Sequence, residues 1–225
     1  MKHCIVNFSD YKFALGQNRL RESLIQQGYQ GDIITFNEFH QVGSKSHLEV
    51  PYQFKVFAIE KARQMGYDVI LYCDASLWAI KNVMPVIHYI IENGYLLEKC
   101  GFSVGHFSTD LCLSEFDISR EIAFSIPLHS AGFTGLNFRN EIANIFFEKW
   151  LQRAREEKTF IGDWNNNSRQ CSKDERCLGH RHDQTTASII AHELQMNRIN
   201  PHFMQYNYDG VITKQETIFN CRGIC

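Results

Sequence analysis

Three charged side chains of this sequence have neighbouring residues that suit them to chemistry on a phosphorylated substrate. Asp74 directly follows a run of apolar residues, and the hydroxyl of Ser76 lies two positions later. A carboxylate at the exposed end of a buried strand can bind a metal ion or a hydroxyl-bearing ligand. Asp183 stands beside histidine and arginine residues that would hold it ionised and attract an anion. Lys55, in an aromatic segment, can neutralise phosphate.

Each of these positions also has an ordinary structural explanation when it is taken alone. An aspartate followed by alanine and serine often does no more than end a strand and begin a turn. The helix dipole favours an acid such as Asp183 in the first turn of a helix. A lysine such as Lys55 is usually solvated at the protein surface. The functional interpretation therefore depends on whether the fold brings these side chains together.

Strand and helix patterns alternate in the first third of the chain. Short apolar runs predict strands at residues 1–8, 32–36 and 67–72. Apolar residues at helical spacing predict helices over residues 13–27 and 51–66. This alternation predicts an α/β fold with a mostly parallel central sheet and helices on both faces.

Two polar turns follow the first and third of these strands. They are Ser9-Asp10 and Asp74-Ala75-Ser76. In open α/β sheets, ligands bind beyond the carboxyl ends of the strands. We therefore expect both turns to meet at one edge of the sheet and to form part of a binding site.

The rest of the chain continues with helices and strands of less regular order. Glycines at residues 130–138 suit a strand that another group approaches closely. Polar composition predicts loops at residues 37–50 and 159–179, and no element is assigned to residues 108–126. Helices are predicted at residues 84–93, 140–156 and 187–196, the last preceded by an acid-containing segment at 182–186. Strands are predicted at residues 101–107, 130–138, 203–206 and 211–212.

The composition excludes some classes of function. The chain has 225 residues with 44% hydrophobic content, which is enough for one substantial core, so we expect a single domain over residues 1–225. A formal net charge of -2 does not supply the basic face that nucleic-acid binding needs. No run reaches the roughly 18 to 20 apolar residues of a membrane span, and the first residues enter a strand rather than a signal peptide. We therefore expect a cytoplasmic protein without a transmembrane segment.

The eight cysteines raise the alternative of a metal site. Cys171, Cys177, His180 and His182 have the spacing C-x5-C-x2-H-x-H, with suitable zinc ligands but a wider first pair than structural zinc sites normally use. Such a site would staple a polar loop rather than catalyse a reaction. Without a secretory signal, disulfides are disfavoured. The roles of four cysteines stay open: Cys171, Cys177, Cys221 and Cys225.

Several motifs taken in order resemble one enzyme family. They are a Tyr-x-Phe-Lys helix start, YCDAS, SAGFTGLNFRN, FFEKWL and RHDQTTASIIAHEL. Over residues 5–194 the chain resembles the GT-A class of nucleotide-sugar glycosyltransferases. The resemblance implies a Rossmann-like GT-A fold. It also implies transfer of a hexosyl or related sugar from a nucleotide-diphosphate donor to a glycan, lipid or protein acceptor.

The resemblance also implies a role for each matching residue. Asp183 falls where a catalytic carboxylate faces the transferred sugar, as acceptor base or as a stabilising group. The implied nucleotide-sugar-binding residues are Phe8, Ser9, Tyr11, Lys55, Asp74, Ala75 and Ser76. The implied sugar- and acceptor-binding residues are Ala131, Gly132, Phe133, His182 and Gln184.

Ser76 departs from the pattern of the family. Asp74 and Ser76 occupy the Asp-x-Asp positions, where two carboxylates hold the donor and a divalent Mn²⁺ or Mg²⁺ ion. A serine hydroxyl is a neutral, weaker ligand for such an ion than a carboxylate. We expect a metal-assisted enzyme in which the diphosphate supplies most ligands, although Lys55, Arg181 and His182 could replace the ion. The alternative is a catalytically weak or inactive nucleotide-sugar-binding protein of the same fold.

Overall fold

The structure is a computed structural model, and it describes residues 1–206 and 214–221. The predicted strand piece at 211–212 and Cys225 therefore lie outside the described residues. The strands are β1 (His3–Phe8), β2 (Asp32–Phe36), β3 (Val69–Cys73), β4 (Leu77–Ala79), β5 (Tyr95–Ser103), β6 (Pro127–Asn137), β7 (Met204–Tyr206) and β8 (Phe219–Cys221). The helices are α1 (Ala14–Gln26), α2 (Phe39–Val42), α3 (Gln53–Gln64), α4 (Met84–Asn93), α5 (Asp110–Glu115), α6 (Arg120–Ser125), α7 (Glu141–Glu156) and α8 (His182–Glu193).

The central sheet has five strands in the order β2-β1-β3-β6-β5. β1 pairs in parallel with both β2 and β3, while β6 is antiparallel to β3 and to β5. All of these strands except β6 therefore run in the same direction, and the predicted mostly parallel α/β sheet is confirmed. A second sheet, β4-β8-β7, brings the segment after α8 to the strand that follows the Asp74 turn.

Helices cover both faces of the central sheet, as predicted. Ile70 and Tyr72 of β3 belong to one core with α3, α7 and α8. Val69 and Leu71 of the same strand belong to a second core with α1 and α4. Side chains alternate between the two faces of a strand, so a strand buried on both faces is apolar throughout. This explains why the run at 69–73 is continuously hydrophobic.

Some elements differ from their predicted bounds. β5 begins at Tyr95 rather than at residue 101, and residues 104–106 form a 3₁₀ turn. The predicted loop at 37–50 contains α2, whose start is capped by reciprocal Glu38 and Gln41 bonds. α5 and α6 lie within residues 108–126, and α8 includes the predicted leading segment 182–186, so that Asp183 lies in its first turn as expected.

Glu98 lies in the first part of β5, which the predicted strand at 101–107 did not include. A glutamate interrupts the apolar pattern, yet its side chain is 0% exposed. One carboxylate oxygen accepts hydrogen bonds from the backbone N–H groups of Phe203 at 2.7 Å and His202 at 3.3 Å. Glu98 therefore holds the segment that leads into β7. The other oxygen has no hydrogen-bond partner within residues 1–206 and 214–221, and burial raises the pKa of the carboxyl group to about 7.

Replacing Glu98 with glutamine is expected to change how stability depends on pH. Because the folded-state pKa is raised above the unfolded value, folding loses stability as pH rises from about 4.5 to about 7, and the loss then stays constant. The free energy of unfolding of Glu98→Gln relative to wild type should therefore rise by on the order of 2 kcal/mol between about pH 5 and pH 8. Urea unfolding at both pH values measures this difference.

The matched control is Glu92→Gln, which changes an exposed glutamate of α4. The change in the free energy of unfolding between the two pH values does not include any packing effect of the amide that is independent of pH. If the free energy of unfolding of Glu98→Gln differs from that of wild type by the same amount at both pH values, the buried carboxylate is not the cause.

No helix among the described residues is long and apolar enough to cross a membrane.

Candidate active site

The two predicted polar turns meet at one edge of the central sheet. The Ser9 N–H donates to the carbonyl of Phe36 at 3.0 Å, and the Asp74 N–H donates to the carbonyl of Gly132 at 2.8 Å. Ser9 and the Asp74 turn line the same cavity. The parallel pairing of β1 with β3 causes this convergence, because the carboxyl ends of both strands lie side by side.

Lys55, Asp74 and Asp183 form a group of charges that we call the acid–lysine cluster, in which Lys55 and Asp183 are buried and the side chain of Asp74 is 32% exposed. The Lys55 Nζ lies 3.0 Å from Oδ1 and 3.1 Å from Oδ2 of Asp74. It lies 3.5 Å from Oδ2 of Asp183. Two carboxylates and one ammonium therefore share a small volume where the sheet edge meets the first turns of α3 and α8.

The ammonium of Lys55 is hidden from solvent but remains charged. The residue is 4% exposed, and burial by itself would lower its pKa. The carboxylates of Asp183 and Asp74 more than offset that effect, and the pKa of Lys55 is raised. Burying charges is expensive even when they are paired, and such clusters concentrate at functional sites.

Asp183 combines burial with an oxygen that lacks a hydrogen bond. The residue is 3% exposed, and its Oδ2 has no hydrogen-bond partner among the described residues. Burial raises the pKa of this carboxyl group to about 6, with Lys55 opposing the rise and Asp74 adding to it. Near neutral pH the group is therefore mostly ionised and close enough to its pKa to exchange a proton.

Two cavities meet at the acid–lysine cluster. The wide cavity has a volume of about 620 Å³, and the narrow cavity has about 340 Å³. Both volumes lie within the usual range of ligand sites. Four residues line both cavities and form their junction: Tyr52, Lys55, Asp74 and Ser76.

The narrow cavity is bounded mainly by aromatic side chains from β1, α2 and α3. Phe8 stacks on Phe54 with ring centroids 4.5 Å apart, and Phe39 lies 5.1 Å from Phe8. Phe8, Ser9 and Ala75, three of the residues that the resemblance assigned to nucleotide-sugar binding, line this cavity. Tyr11, which was expected beside them, is 83% exposed and does not line the cavity. Lys12 lines the wall instead.

The wide cavity contains a stacked arginine. The Arg181 guanidinium lies 3.9 Å from the ring centre of Phe107 and 3.8 Å from that of Trp164. Gln184, expected at the sugar, also lines this cavity and donates to the Cys100 sulfur at 3.2 Å. The second sheet closes the opposite side with Met204, Tyr206 and Cys221.

The glycine-containing strand β6 contributes alternate residues to the wide cavity. Ser130 and Gly132 line it, whereas Ala131 and Phe133 do not. Phe133 lies in the apolar core, with its ring centre 5.2 Å from that of Phe219. Ala131, Gly132 and Phe133 were all expected to contact the sugar, but only Gly132 lines the wide cavity. The reason is that successive residues of a strand face opposite sides of the sheet.

Gly132 also explains why the strand needs glycine at this point. A Cβ atom there would lie 2.9 Å from Cγ of Asp74, and still closer to its Oδ2. The group that approaches this strand closely is therefore the carboxylate of Asp74. The absence of a side chain at 132 lets Asp74 reach Lys55.

His182 supports the site from behind rather than lining it. Its Nδ1 is 2.9 Å from the carbonyl oxygen of Phe160, and its ring stacks on Tyr52 with centroids 5.3 Å apart. His182 and Tyr52 both adopt left-handed backbone angles, with φ of 44° and 61°. Such strain is typical of functional sites. Burial lowers the pKa of His182 to about 4, so the ring is neutral near pH 7 and does not replace a metal ion.

Several solved structures of glycosyltransferases share this arrangement of strands and helices. The WbbM bifunctional glycosyltransferase matches with a TM-score of 0.56 at 9% identity, over 98% of this chain and 45% of that one. Mouse xyloside xylosyltransferase 1 matches with a TM-score of 0.54 at 9% identity, over 98% of this chain and 97% of that one. The chain has the GT-A fold.

A third structure with the GT-A fold is a glycosyltransferase involved in the glycosylation of the major capsid of PBCV-1. It matches with a TM-score of 0.54 at 11% identity and covers 98% of this chain and 93% of that one. The chain thus spans less than half of WbbM but nearly all of the other two proteins. No protein-family model and no curated protein sequence matches this chain. The likeness confirms the resemblance at the level of the fold.

The zinc alternative is not supported in this GT-A protein. The described residues contain no group of three or more histidine, cysteine or acidic side chains that could hold a metal ion. Instead, the Cys171 sulfur donates to the carbonyl of Asp163 at 3.2 Å, and His180 Nε2 lies 3.0 Å from that of Thr159. Cys177 is a free thiol that bonds to backbone carbonyls. Hydrogen bonds to the backbone therefore hold this loop.

The Asp-x-Asp positions do not fit a divalent cation. Both oxygens of Asp74 already contact the Lys55 ammonium, and the Ser76 hydroxyl accepts a hydrogen bond from the Cys221 thiol at 3.3 Å. A dication on Asp74 would lie close to that ammonium. A single and a double charge about 4 Å apart repel each other by roughly 8 kcal/mol at an effective dielectric constant of about 20.

The sequence did not indicate several residues of the GT-A site. Tyr52 is the first residue of the Tyr-x-Phe-Lys motif, three positions before Lys55. The sequence did not predict that it lies where the two cavities meet. Phe107, Trp164 and Tyr206 lie in segments far apart in the chain, with no motif around them. Only their common position at the wide cavity identifies them.

Proposed function

We propose that this GT-A protein is a glycosyltransferase that moves a sugar from a nucleotide-diphosphate donor to a hydroxyl of a glycan, lipid or protein acceptor. The observation that supports it best is the acid–lysine cluster at the junction of the two cavities. Within it, the buried Oδ2 of Asp183 has an ion-pair contact of 3.5 Å with Lys55 but no hydrogen bond among the described residues, and Asp183 belongs to the wall of the wide cavity. A buried carboxylate oxygen in a cavity wall that keeps hydrogen-bonding capacity is suited to a ligand.

The two cavities suit the two halves of such a donor. The nucleoside would occupy the narrow cavity, where Phe8, Phe39 and Phe54 form an aromatic wall. The diphosphate would lie at the junction beside Lys55. The transferred sugar and the acceptor would share the wide cavity, which has the larger volume of about 620 Å³.

The acid–lysine cluster supplies the charges that glycosyl transfer requires. Breaking the bond between the anomeric carbon and the diphosphate places positive charge on the sugar and negative charge on the leaving group. Lys55 would stabilise the leaving diphosphate. Ionised Asp183 would face the sugar and either take the proton of the acceptor hydroxyl or stabilise the positive charge on the anomeric carbon. Both roles need the carboxylate rather than the carboxylic acid.

The rate of transfer is therefore expected to depend on the ionisation of Asp183. Its pKa is about 6, so kcat should be high and flat above about pH 7 and should fall about tenfold per pH unit well below 6. Initial rates at saturating donor and acceptor, measured from pH 5 to pH 8, test this profile. A rate that stays constant down to about pH 5 would contradict the role given to Asp183.

Donor binding is the first test of the proposed function. A thermal-shift screen of nucleotide sugars should raise the melting temperature for donors with the correct base, because ligands that bind the native state stabilise it. Donors that bind are then incubated with acceptor mixtures, and release of the nucleoside diphosphate is measured. Absence of binding to every nucleotide sugar would refute the glycosyltransferase proposal.

A second candidate is a nucleotide-sugar-binding protein that performs no transfer. Ser76 favours it, because the second carboxylate of the Asp-x-Asp pattern is missing. The two candidates differ in turnover rather than in binding. Tight donor binding without nucleoside diphosphate release under any acceptor condition would support the second candidate.

A further inference from the structure

We propose that this protein binds its donor without a divalent cation, because the Lys55 ammonium serves as the counter-ion of the diphosphate. This inference rests on the proposed function, since it concerns how the same donor is held. It replaces the sequence expectation of a Mn²⁺ or Mg²⁺ cofactor.

The position of Lys55 suits it to this role. Its ammonium has three N–H donors. Two of these donors serve the carboxylates of Asp74 and Asp183, whose oxygens lie 3.0 Å and 3.5 Å from Nζ. Lys55 lines both cavities, so a phosphate oxygen at their junction can accept the remaining N–H. Asp74, which contacts Lys55 with both carboxylate oxygens, then orients the ammonium toward the phosphate rather than binding a metal itself.

The residues at the Asp-x-Asp positions are committed to other contacts. Asp74 gives both oxygens to Lys55, and Ser76 accepts a hydrogen bond from Cys221. Gly132, which has no side chain, leaves the space that the carboxylate of Asp74 occupies beside Lys55. The described residues offer no third acidic, histidine or cysteine ligand beside it.

The charges that line the two cavities balance one another and do not repel a diphosphate. α3 begins at the junction and α8 begins beside the wide cavity, and both are 12 residues long and lack a side-chain cap hydrogen bond. The N–H groups of an uncapped first turn attract anions. Lys12 and Arg181 line the cavities, so together with Lys55 three cations balance the carboxylates of Asp10, Asp74 and Asp183. The donor therefore meets a neutral lining and two helix N-termini.

Calorimetric titration with UDP, GDP, ADP and CDP tests the inference on the intact chain. Each nucleotide is titrated once in EDTA and once in excess Mn²⁺. We expect the nucleotide that binds to show the same Kd in both conditions within about threefold. A Kd weaker by about tenfold or more in EDTA would overturn the inference.

Three variants test whether Lys55 provides the counter-ion. Lys55→Met should weaken nucleotide binding at least about tenfold in both conditions, and Lys55→Arg should keep part of the affinity. The matched control is Lys149→Met, which removes a partly exposed lysine of α7 that lines neither cavity and should bind as wild type does. Metal-free binding by Lys55→Met with wild-type affinity would overturn the role of the lysine.

The outcomes separate this inference from the proposed function. If no nucleotide binds in either condition, the glycosyltransferase proposal fails and the inference fails with it. If binding requires Mn²⁺, the proposal stands and only the assignment of Lys55 is wrong. If Lys55→Met shows no cooperative melting transition, the comparison of EDTA with Mn²⁺ on the wild-type chain decides the question.

Discussion

Replacing Asp183 with asparagine is expected to reduce sugar transfer at least about 100-fold while nucleotide affinity changes by less than about threefold. Asparagine keeps the shape of the side chain but cannot accept a proton or carry negative charge. Asp183 lines the wide cavity and not the narrow one, so the nucleoside and its aromatic contacts are unaffected. Initial rates of transfer and calorimetric titration of the nucleoside diphosphate measure the two quantities.

Two comparisons make the result for Asp183 specific. Asp117→Asn changes an exposed aspartate with a φ of 51°, a conformation that asparagine tolerates, and it should leave transfer unchanged. Asp74→Ala should weaken donor binding first, because it removes the partner that orients Lys55. An equal loss of nucleotide affinity in Asp183→Asn would mean that the roles of the two aspartates are wrongly assigned.

Replacing Gly132 with alanine is expected to weaken donor binding by about tenfold to 100-fold and to lower the free energy of unfolding by about 1–3 kcal/mol. The added Cβ would lie 2.9 Å from Cγ of Asp74 and closer still to Oδ2. The carboxylate of Asp74 must then move, and it loses the contacts of 3.0 Å and 3.1 Å with Lys55. Calorimetric titration and urea unfolding measure the two effects.

A double-mutant cycle identifies Asp74 as the cause. In the Asp74→Ala background the carboxylate is absent, so the added methyl group at 132 should destabilise the protein by less than it does in wild type. Additive free energies in the four proteins of the cycle would show that Gly132 acts through another contact. The cycle uses unfolding measurements, so it does not depend on the identity of the donor.

The sequence was informative wherever a structural signal is local. The alternation of apolar runs located β1, α1, β2, α3 and β3 in the correct order, and the bounds of β2 and α4 agree with the prediction. The carboxyl ends of parallel strands share an edge, so the meeting of the Ser9 and Asp74 turns was also predictable.

Residues whose burial depends on distant partners were not predictable. Glu98 was not singled out in the sequence, because the backbone N–H groups that donate hydrogen bonds to its carboxylate come from residues 202 and 203. His182 was interpreted as a cationic site residue, yet burial beside Phe160 and Tyr52 lowers its pKa to about 4. In both cases the contacting residues lie far away in the sequence.

The sequence by itself determined the α/β order of the elements, the polar edge of the sheet and the identity of its candidate acids. Only the tertiary structure decided that Lys55 contacts both Asp74 and Asp183, that Gly132 makes room for Asp74, and that Ser76 bonds to Cys221. The physical reason is that periodicity and turn chemistry act between neighbouring residues. The charge and accessibility of a buried ionisable group depend instead on atoms that the fold brings together from distant parts of the chain.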